Sequence, residues 1–242
     1  MIATRESYGK ALAELGEKYK DVVVLDADLA NATKTIEFKK KFPERFFDIG
    51  IAEQDLIGTA AGLALGGKIP FASTFAVFAS GRAYDQVRNT VAYSKLNVKI
   101  AATHAGITVG EDGASHQALE DISLMRSIPN MLVCSPADDR CTKWLIEEAI
   151  KYNGPMYIRL ARPATEEIYS NDVKFELGKG IQHGDGKDAT IFATGVTLAE
   201  ALKAKEILKQ KNIDVRVVDM HTIKPIDKEL IVKCANETDK LY

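Results

Sequence analysis

The sequence predicts an α/β fold, in which helices flank a mostly parallel sheet. Two observations support this prediction. Short apolar, β-branched runs such as "DVVVLD", "IPFAST" and "NVKIAAT" alternate with segments of helical spacing over most of the chain. The first of these runs is also continuously apolar over "VVVL", which is typical of parallel strands that helices cover on both faces.

The first part of the chain supplies these elements in a regular order. Apolar residues at the helical spacing of Tyr8, Leu12 and Leu15 predict an N-terminal helix, and the strand-like "DVVVLDADLA" follows it. The run "RFFDIG" then precedes a predicted helix over 53–65, and "IPFAST" precedes another over 76–93. This strand–helix alternation predicts parallel pairing of the strands.

The middle of the chain continues the alternation. The run "NVKIAAT" leads into a glycine-rich loop over 104–117, and "NMLVCSP" leads into a predicted helix near 136–150. Ser135, Pro136 and Asp138 form a capping-box pattern with proline at the first helical position, so we expect the helix to begin there. The last strand of this unit is "GPMYIRLA".

A polar, turn-rich segment divides the chain. We predict a first domain over 1–165, a linker over 166–185 and a second α/β unit over 186–242. The second unit contains only "ATIFATG", "DVRVVDM" and two predicted helices, which is little for an independent core. It either packs closely on the first domain or is the start of a truncated domain, and we favour truncation.

Composition excludes several classes of protein. A formal net charge of −2 gives no indication of a nucleic-acid partner. No apolar stretch approaches the ~20 residues that cross a bilayer, so no membrane association is expected. Cys134, Cys141 and Cys234 form no CxxC pair, which argues against a disulfide framework or a zinc site. We therefore expect a cytoplasmic protein with no metal-ligating residues of its own.

Familiar nucleotide and hydrolase motifs are absent. The chain has no G-x-G-x-x-G after its first strand, no P-loop and no G-x-S-x-G. Gly184-Asp185-Gly186, followed by Asn212, loosely resembles a pattern that holds magnesium and a diphosphate. In that pattern the triplet ends a buried strand, whereas here it precedes "ATIFATG", so we predict a hairpin turn.

One carboxylate occupies an unusual position. In "FFDIGIAEQDLIG", Glu53 lies where a strand gives way to a helix, and Leu56, Ile57 and Ala60 follow it. A carboxylate among apolar neighbours is expected to hold or share a proton near neutral pH. A glutamate in a first helical turn that is stabilised only by the helix dipole is the common alternative.

A second group of polar residues lies in "ATHAGITVGEDGASHQALED". His104, Asp112 and His116 follow a predicted strand on a glycine-rich loop, and the chain has only four histidines. The carboxyl ends of strands in open α/β sheets form the ligand crevice, where such groups bind hydroxyls and move protons. A metal site lacks a familiar ligand spacing, and a merely solvated loop seldom concentrates histidines. We favour a polar-substrate site.

Other candidate residues have ordinary structural explanations when taken alone. Phe75 and Phe78 have the i, i+3 spacing of a helix face, which usually indicates core packing. Arg5 begins the first helix and Arg162 follows the last strand of the first domain. Guanidinium groups suit phosphate recognition, although an arginine is most often a surface residue.

Taken together, these stretches resemble the transketolase family. The matching segments agree in order and spacing over nearly the whole chain: "LDADL", "GIAEQ", "STFAVF", "RAYDQVR", "THAGITVGEDGASHQALEDISLMRSIPN", "SPAD" and "ATIFATG…RVVDM". Only the second half of transketolase is matched, namely the domain that holds the aminopyrimidine of thiamine diphosphate and the start of the C-terminal domain. The resemblance implies transfer of a two-carbon ketol unit between ketose and aldose phosphates.

The resemblance also implies residue roles at the cofactor. Glu53 falls on the family's catalytic glutamate, which hydrogen-bonds a ring nitrogen of the aminopyrimidine. Phe78, and secondarily Phe75, fall on positions that stack on this ring, which revises their assignment as core residues. Asp28 matches an aspartate near the cofactor. A tyrosine found near the ring in some members is replaced around Gly81.

Further implied roles concern the substrate. His104, Asp112 and His116 match residues that bind sugar hydroxyls, and the two histidines also assist proton transfer. Arg5 and Arg162 match the arginines that bind the sugar phosphate. A phosphate-contacting serine expected beyond "DADL" is Ala32 here, so weaker phosphate affinity is expected.

The missing first half of transketolase implies a partner. Some members are split into two subunits, and this chain resembles the C-terminal one. An N-terminal subunit would hold the diphosphate and Mg²⁺, and this chain would form a homodimer within a heterotetramer. Alternatives are half of a deoxyxylulose-phosphate synthase, a non-catalytic scaffold or regulatory subunit, and a 2-oxoacid dehydrogenase β-subunit. The last would not need the sugar-binding "THAGITVGEDGASHQ", and retention of Glu53 and both histidines argues against a scaffold.

Overall fold

A computed structural model describes residues 1–242. It has the predicted α/β class, with a mostly parallel central sheet between helices. The strands are β1 (Ile2–Ala3), β2 (Val22–Asp26), β3 (Phe46–Asp48), β4 (Ile69–Phe75), β5 (Lys99–Thr103), β6 (Leu132–Cys134), β7 (Met156–Arg159), β8 (Ala164–Thr165), β9 (Ile181–His183), β10 (Ala189–Ala193), β11 (Val215–Asp219) and β12 (Thr222–Lys224).

All helices except α8, which follows the last strand, lie between these strands in the sequence, as the alternation predicts. They are α1 (Thr4–Lys18), α2 (Ala30–Thr33), α3 (Ile36–Lys41), α4 (Glu53–Leu65), α5 (Asp121–Ser127), α6 (Asp139–Lys151), α7 (Thr197–Lys209) and α8 (Lys228–Glu237). The predicted helix over 76–93 contains two π-helical segments, Phe78–Arg82 and Gln86–Tyr93. No helix is both long enough and apolar enough to span a bilayer.

The central sheet has seven strands in the order β12-β6-β7-β5-β4-β2-β3. All neighbouring pairs except β12–β6 are parallel, so six strands end at the same edge. Strand β2 shows how the sheet is covered on both faces. Val23 and Leu25 pack into one apolar cluster, whereas Val22 and Val24 pack into another on the opposite face.

A short ribbon joins the two ends of the first unit. Strand β1 pairs antiparallel with β8, and Thr4 accepts a hydrogen bond from the backbone N–H of Ala161 at 2.8 Å. This pairing places the start of α1 beside the segment that follows β7. It therefore brings Arg5 close to Arg162, although 156 residues separate them in the sequence.

The C-terminal part forms a smaller sheet in the order β10-β11-β9, with α7 and α8 beside it. Strand β12 follows β11 but pairs with β6 of the central sheet, so the two parts of the chain share one sheet edge. Strand β9 lies inside the segment predicted as a linker. The division at 1–165, 166–185 and 186–242 stays a prediction.

Two local predictions were wrong. Helix α6 begins at Asp139, three residues later than predicted, because Asp138 caps it by accepting the Cys141 N–H at 2.8 Å. Ser135 lies outside the helix, and its N–H donates to the His221 carbonyl. Gly184-Asp185-Gly186 connects β9 to β10, but no hairpin forms, because β11 lies between these two strands.

Candidate functional site

The candidate site lies at the carboxyl edge of the central sheet. Phe75 is the last residue of β4, His104 directly follows β5, and Glu53 begins α4 after β3. Because the parallel strands end at one edge, side chains from distant parts of the sequence meet there. We call Glu53, Phe75 and Phe78 the ring seat, and Arg5, His104 and Arg162 the anion cluster.

Glu53 is nearly inaccessible in the ring seat, with a side chain 4% exposed. The sequence around it offers few hydrogen-bond donors, but the fold supplies one. Arg82 Nη1 donates to Glu53 Oε1 at 2.9 Å, and the Arg82 guanidinium carbon lies 4.1 Å from the centroid of the Phe78 ring. A flat hydrogen-bonding group therefore fits against Phe78 while it contacts the buried carboxylate.

Aromatic rings form the floor of the seat. Phe75 and Phe78 are nearly parallel, at an interplanar angle of 8° with centroids 5.8 Å apart. The His116 ring meets Phe78 edge-on at 5.3 Å, and the His104 ring stacks on Phe75 at 3.9 Å. The fold thus brings together both predicted ring-stacking residues and both predicted catalytic histidines.

His104 has a backbone and a protonation state that suit a ligand site. Its φ of 57° lies in the left-handed region, which non-glycine residues rarely occupy outside constrained sites. Burial, and then the charges of Arg5 and Arg162, lower the pKa of His104 to about 4. The imidazole is therefore neutral at physiological pH.

The hydrogen bonds of His104 fix its tautomer. Arg5 Nη1, which can only donate, lies 3.3 Å from Nε2, so Nε2 is the acceptor. The proton therefore resides on Nδ1, which lies 2.9 Å from Thr103 Oγ1 and donates to it. The site presents an imidazole acceptor held between a threonine and an arginine.

The arginines of the anion cluster have few compensating charges. Burial, and then the charge of Arg162, lower the pKa of Arg5. Arg5 Nη1 also donates to the Ala32 carbonyl at 2.8 Å, while Arg162 Nη2 contacts Glu111 at 3.1 Å. The Glu111 side chain is 86% exposed, so solvent screens this pair. Two guanidinium groups and a neutral imidazole form a site for an anion.

Two predicted site residues remain outside these contacts. The Asp28 side chain is exposed, and its backbone N–H donates to Asp48 Oδ1 at 3.1 Å. Asp112 is exposed on the loop after β5, and its charge acts on His104 by raising the pKa of that imidazole. Their assignments as cofactor-binding and substrate-binding residues stay predictions.

The structure adds residues that sequence reasoning missed. Arg82 is the first: it begins the matching segment "RAYDQVR", but nothing in that segment indicated a contact with Glu53. Asp121 is fully buried and accepts from Arg159 Nε at 2.8 Å and from the Tyr157 hydroxyl at 2.9 Å. Arg159 in turn lies against Gly106, where an added Cβ would be 3.2 Å from Nη2. The Asp121–Arg159 pair therefore supports the loop that carries His116. In the sequence, only the position of Asp121 at the end of "ALED" in the long central motif pointed to it.

The fold and the site together define a class of protein: an α/β chain with a buried carboxylate, an aromatic surface and two arginines at the carboxyl edge of a parallel sheet. Comparisons with known proteins identify the family. A sequence model of the transketolase pyrimidine-binding domain matches residues 1–167, and one of the transketolase C-terminal domain matches residues 178–242.

Individual relatives agree with these matches. A transketolase C-terminal section from Methanocaldococcus jannaschii is 59% identical over 231 residues, which are 95% of this chain and 73% of that protein. Rat transketolase is 44% identical over 98% of this chain, but this covers only 38% of the rat protein. A solved structure described as a split-gene transketolase, an inactive β4 tetramer, is 55% identical with a TM-score of 0.92, covering 100% of this chain and 78% of that one.

The chain belongs to the transketolase family and corresponds to the C-terminal subunit of members that are split between two chains. The resemblance inferred from the motifs is thereby confirmed. Membership in this family implies a transferase that depends on thiamine diphosphate.

Proposed function

We propose that this chain is the C-terminal subunit of a two-chain transketolase that moves a two-carbon ketol unit from a ketose phosphate to an aldose phosphate. One observation carries the proposal. The ring seat and the anion cluster are continuous, because His104 stacks on Phe75 at 3.9 Å and contacts Arg5 at 3.3 Å. A bound ring and the phosphate end of a sugar would therefore lie at opposite ends of one groove.

The ring seat fits the aminopyrimidine of thiamine diphosphate. Phe78 offers an aromatic face, and the buried Glu53 carboxylate offers an acceptor for a protonated ring nitrogen. When bound, the cofactor supplies the carbon nucleophile that carries the two-carbon unit. Glu53 holds or shares the proton at the ring nitrogen, and its burial keeps water from competing for that proton.

The remaining residues act on the sugar. His104 Nε2 accepts from Arg5 in the free chain, and we propose that a substrate hydroxyl replaces Arg5 as its donor, because the neutral imidazole has one acceptor nitrogen and its other nitrogen donates to Thr103. His116, at the edge of Phe78, moves protons at the reacting carbons. Arg5 and Arg162 bind the terminal phosphate. Asp112 adds a hydroxyl contact, and Asp28 lies near the cofactor.

A partner chain holds the diphosphate and Mg²⁺. Three large apolar side chains around the site are exposed in the single chain, Ile51, Ile107 and Leu119, and a partner surface would cover them. The solved relative described as inactive is a tetramer of β chains, which supports a need for a second type of chain. We propose two copies of each chain in a heterotetramer, located in the cytoplasm, where the three buried cysteines remain free thiols.

Reconstitution tests the proposal. The chain is mixed with its candidate N-terminal partner, thiamine diphosphate and Mg²⁺, and ketol transfer from xylulose 5-phosphate to an aldose phosphate is assayed. We expect activity with both chains and none with either alone. Glu53→Ala should lower kcat about 10²-fold or more, since it removes the proton-sharing group. Asp55→Ala removes an exposed carboxylate from the same helical turn and should leave kcat unchanged.

Other outcomes contradict the proposal. Full activity of Glu53→Ala would exclude the mechanism, and activity of this chain alone would exclude the split-subunit assignment. Turnover of pyruvate with glyceraldehyde phosphate, but not of xylulose phosphate, would indicate a deoxyxylulose-phosphate synthase half. Cofactor binding without turnover of either donor would indicate a scaffold or regulatory subunit.

A further inference from the structure

The ring seat already contains a flat group of this chain. The Arg82 guanidinium stacks on Phe78 at 4.1 Å and donates to Glu53 at 2.9 Å. These are the two contacts proposed for the aminopyrimidine ring, and a guanidinium shares its planarity and its donor groups. We propose that Arg82 is an internal occupant of the ring seat, which closes the seat in the free subunit and swings out when the cofactor ring enters. This inference rests on the proposed function.

The guanidinium and the cofactor ring cannot occupy the seat together. Atoms in contact are about 3.5–4 Å apart, so a guanidinium 4.1 Å from the Phe78 centroid leaves no space for a ring between them. The rest of Phe78 is also in contact, since Phe75 lies parallel to it at 5.8 Å and His116 lies at its edge. Entry of the ring therefore requires Arg82 to leave.

Arg82 can leave without disturbing the fold. Its side chain is 53% exposed, so a change of rotamer takes the guanidinium into solvent. Its backbone stays anchored, because Gln54 Nε2 donates to the Arg82 carbonyl at 3.1 Å from the first turn of α4. Ion pairs and cation–π contacts of a half-exposed side chain are individually weak, so the closed state competes with the ring only modestly.

The exchange also changes the hydrogen bonding of Glu53. While Arg82 is bound, its Nη1 donates to Glu53 Oε1 at 2.9 Å. After Arg82 leaves, the same buried oxygen is available to a donor on the cofactor ring.

Cofactor titration tests this inference. Wild-type, Arg82→Ala and Arg88→Ala subunits are each assembled with the N-terminal partner and saturating Mg²⁺, and thiamine diphosphate binding is measured by calorimetry. We expect Arg82→Ala to tighten binding about 5-fold, because the competing occupant is gone. Arg88 is exposed and contacts only Asn89, so Arg88→Ala is the matched control and should bind like wild type.

A second measurement examines the contact in the free subunit. A double-mutant cycle combines Arg82→Ala with Glu53→Gln and follows urea unfolding of the isolated chain. We expect a coupling of about 5-fold in the unfolding equilibrium constant, because the two side chains interact directly. Additive effects would overturn the proposed occupancy.

The outcomes separate the inference from the proposed function. If the wild-type assembly does not bind thiamine diphosphate, the proposed function fails and the inference fails with it. If the wild type binds and Arg82→Ala binds equally or more weakly, only the inference is overturned. A weaker Arg82→Ala complex would indicate that Arg82 supports the bound cofactor.

Discussion

The ring seat and the anion cluster lie at the same sheet edge, but their arginines have different partners. In the ring seat, Arg82 contacts the buried carboxylate of Glu53. In the anion cluster, Arg5 contacts a neutral imidazole and a carbonyl, and the ion-pair partner of Arg162 is the exposed Glu111. The charge of Arg82 is therefore neutralised by Glu53 of the same seat, whereas the anion cluster keeps a positive charge that an incoming anion can neutralise.

The largest expected effect concerns the cluster. Arg162→Ala removes the proposed charge-assisted contact to the sugar phosphate, and such a contact is worth about 1.5–3 kcal/mol. In the reconstituted enzyme we expect kcat/KM for xylulose 5-phosphate to fall about 10–100-fold. The value for an unphosphorylated ketose should change little. An equal loss for both donors would show that Arg162 acts on the fold or on the cofactor and not on phosphate.

A second prediction concerns the backbone that holds Arg162. Gly110 has a φ of +96°, and a Cβ there would clash with the Arg162 guanidinium. Gly110→Ala should lower the free energy of unfolding by about 1–3 kcal/mol in urea denaturation. Gly58→Ala is the control, because Gly58 lies inside α4 with no atom within 4 Å of its Cβ, and it should be neutral or slightly stabilising. An unchanged free energy of unfolding in Gly110→Ala would show that the loop can change its backbone conformation at no cost.

The sequence predicted the parts of the site that depend on local order. Glu53 was expected at the start of a helix, and α4 begins at that residue. His104 was expected at the end of a strand, and it directly follows β5. Both predictions hold because a strand end or a helix start is determined by the residues around it. The proposed stacking role of Phe78, in contrast, rests on the family resemblance, since its spacing indicates core packing equally well.

Contacts between distant segments could not be predicted from spacing. Arg82 reaches Glu53 from 29 residues away, and this depends on the orientation of a π-helical turn. The pairing of β12 with β6 was missed because "HTIKP" is a short run without alternation, and its partner strand lies far back in the chain. Such contacts depend on three-dimensional packing that no local pattern specifies.

The third prediction tests the charge of the cluster through His104. Because Arg5 is one cause of the lowered pKa of His104, Arg5→Ala should raise that pKa above about 4, toward the ordinary 6.5. Proton NMR titration of the imidazole would measure the change, with Arg88→Ala as the unaffected control. An unchanged pKa would mean that the charge of Arg5 does not reach the ring.

The same group gives a pH dependence of stability with a defined sign. The folded pKa of His104 lies below the unfolded value, so the unfolded chain binds more protons between about pH 6.5 and 4. This contribution to stability is complete above pH 6.5 and is lost as the pH falls toward 4. Urea midpoints across this range should fall less steeply in His104→Asn than in the wild type. Identical slopes of the urea midpoint against pH in the two proteins would contradict a lowered pKa of His104 in the folded chain.

The smallest expected effect concerns Glu111. This carboxylate contacts Arg162 but is exposed, so the pair contributes about 0–1 kcal/mol. Glu111→Gln should lower KM for the sugar phosphate by about 2-fold, measured under the conditions used for Arg162→Ala. A tenfold decrease in KM would mean that Glu111 neutralises the anion cluster as effectively as Glu53 neutralises Arg82 in the ring seat. The two regions would then not differ in how their arginines are paired.

The pairing of β12 with β6 has a consequence for synthesis of the chain. Strand β6 at residues 132–134 has β7 on one side, and its other side is covered only by residues 222–224. A ribosome makes about 90 further residues after β6 before that cover exists. During this interval the central sheet has an open edge with unpaired N–H and C=O groups, which can pair with strands of other chains. The nascent subunit therefore passes through an aggregation-prone stage that ends only when the segment after β11 has emerged.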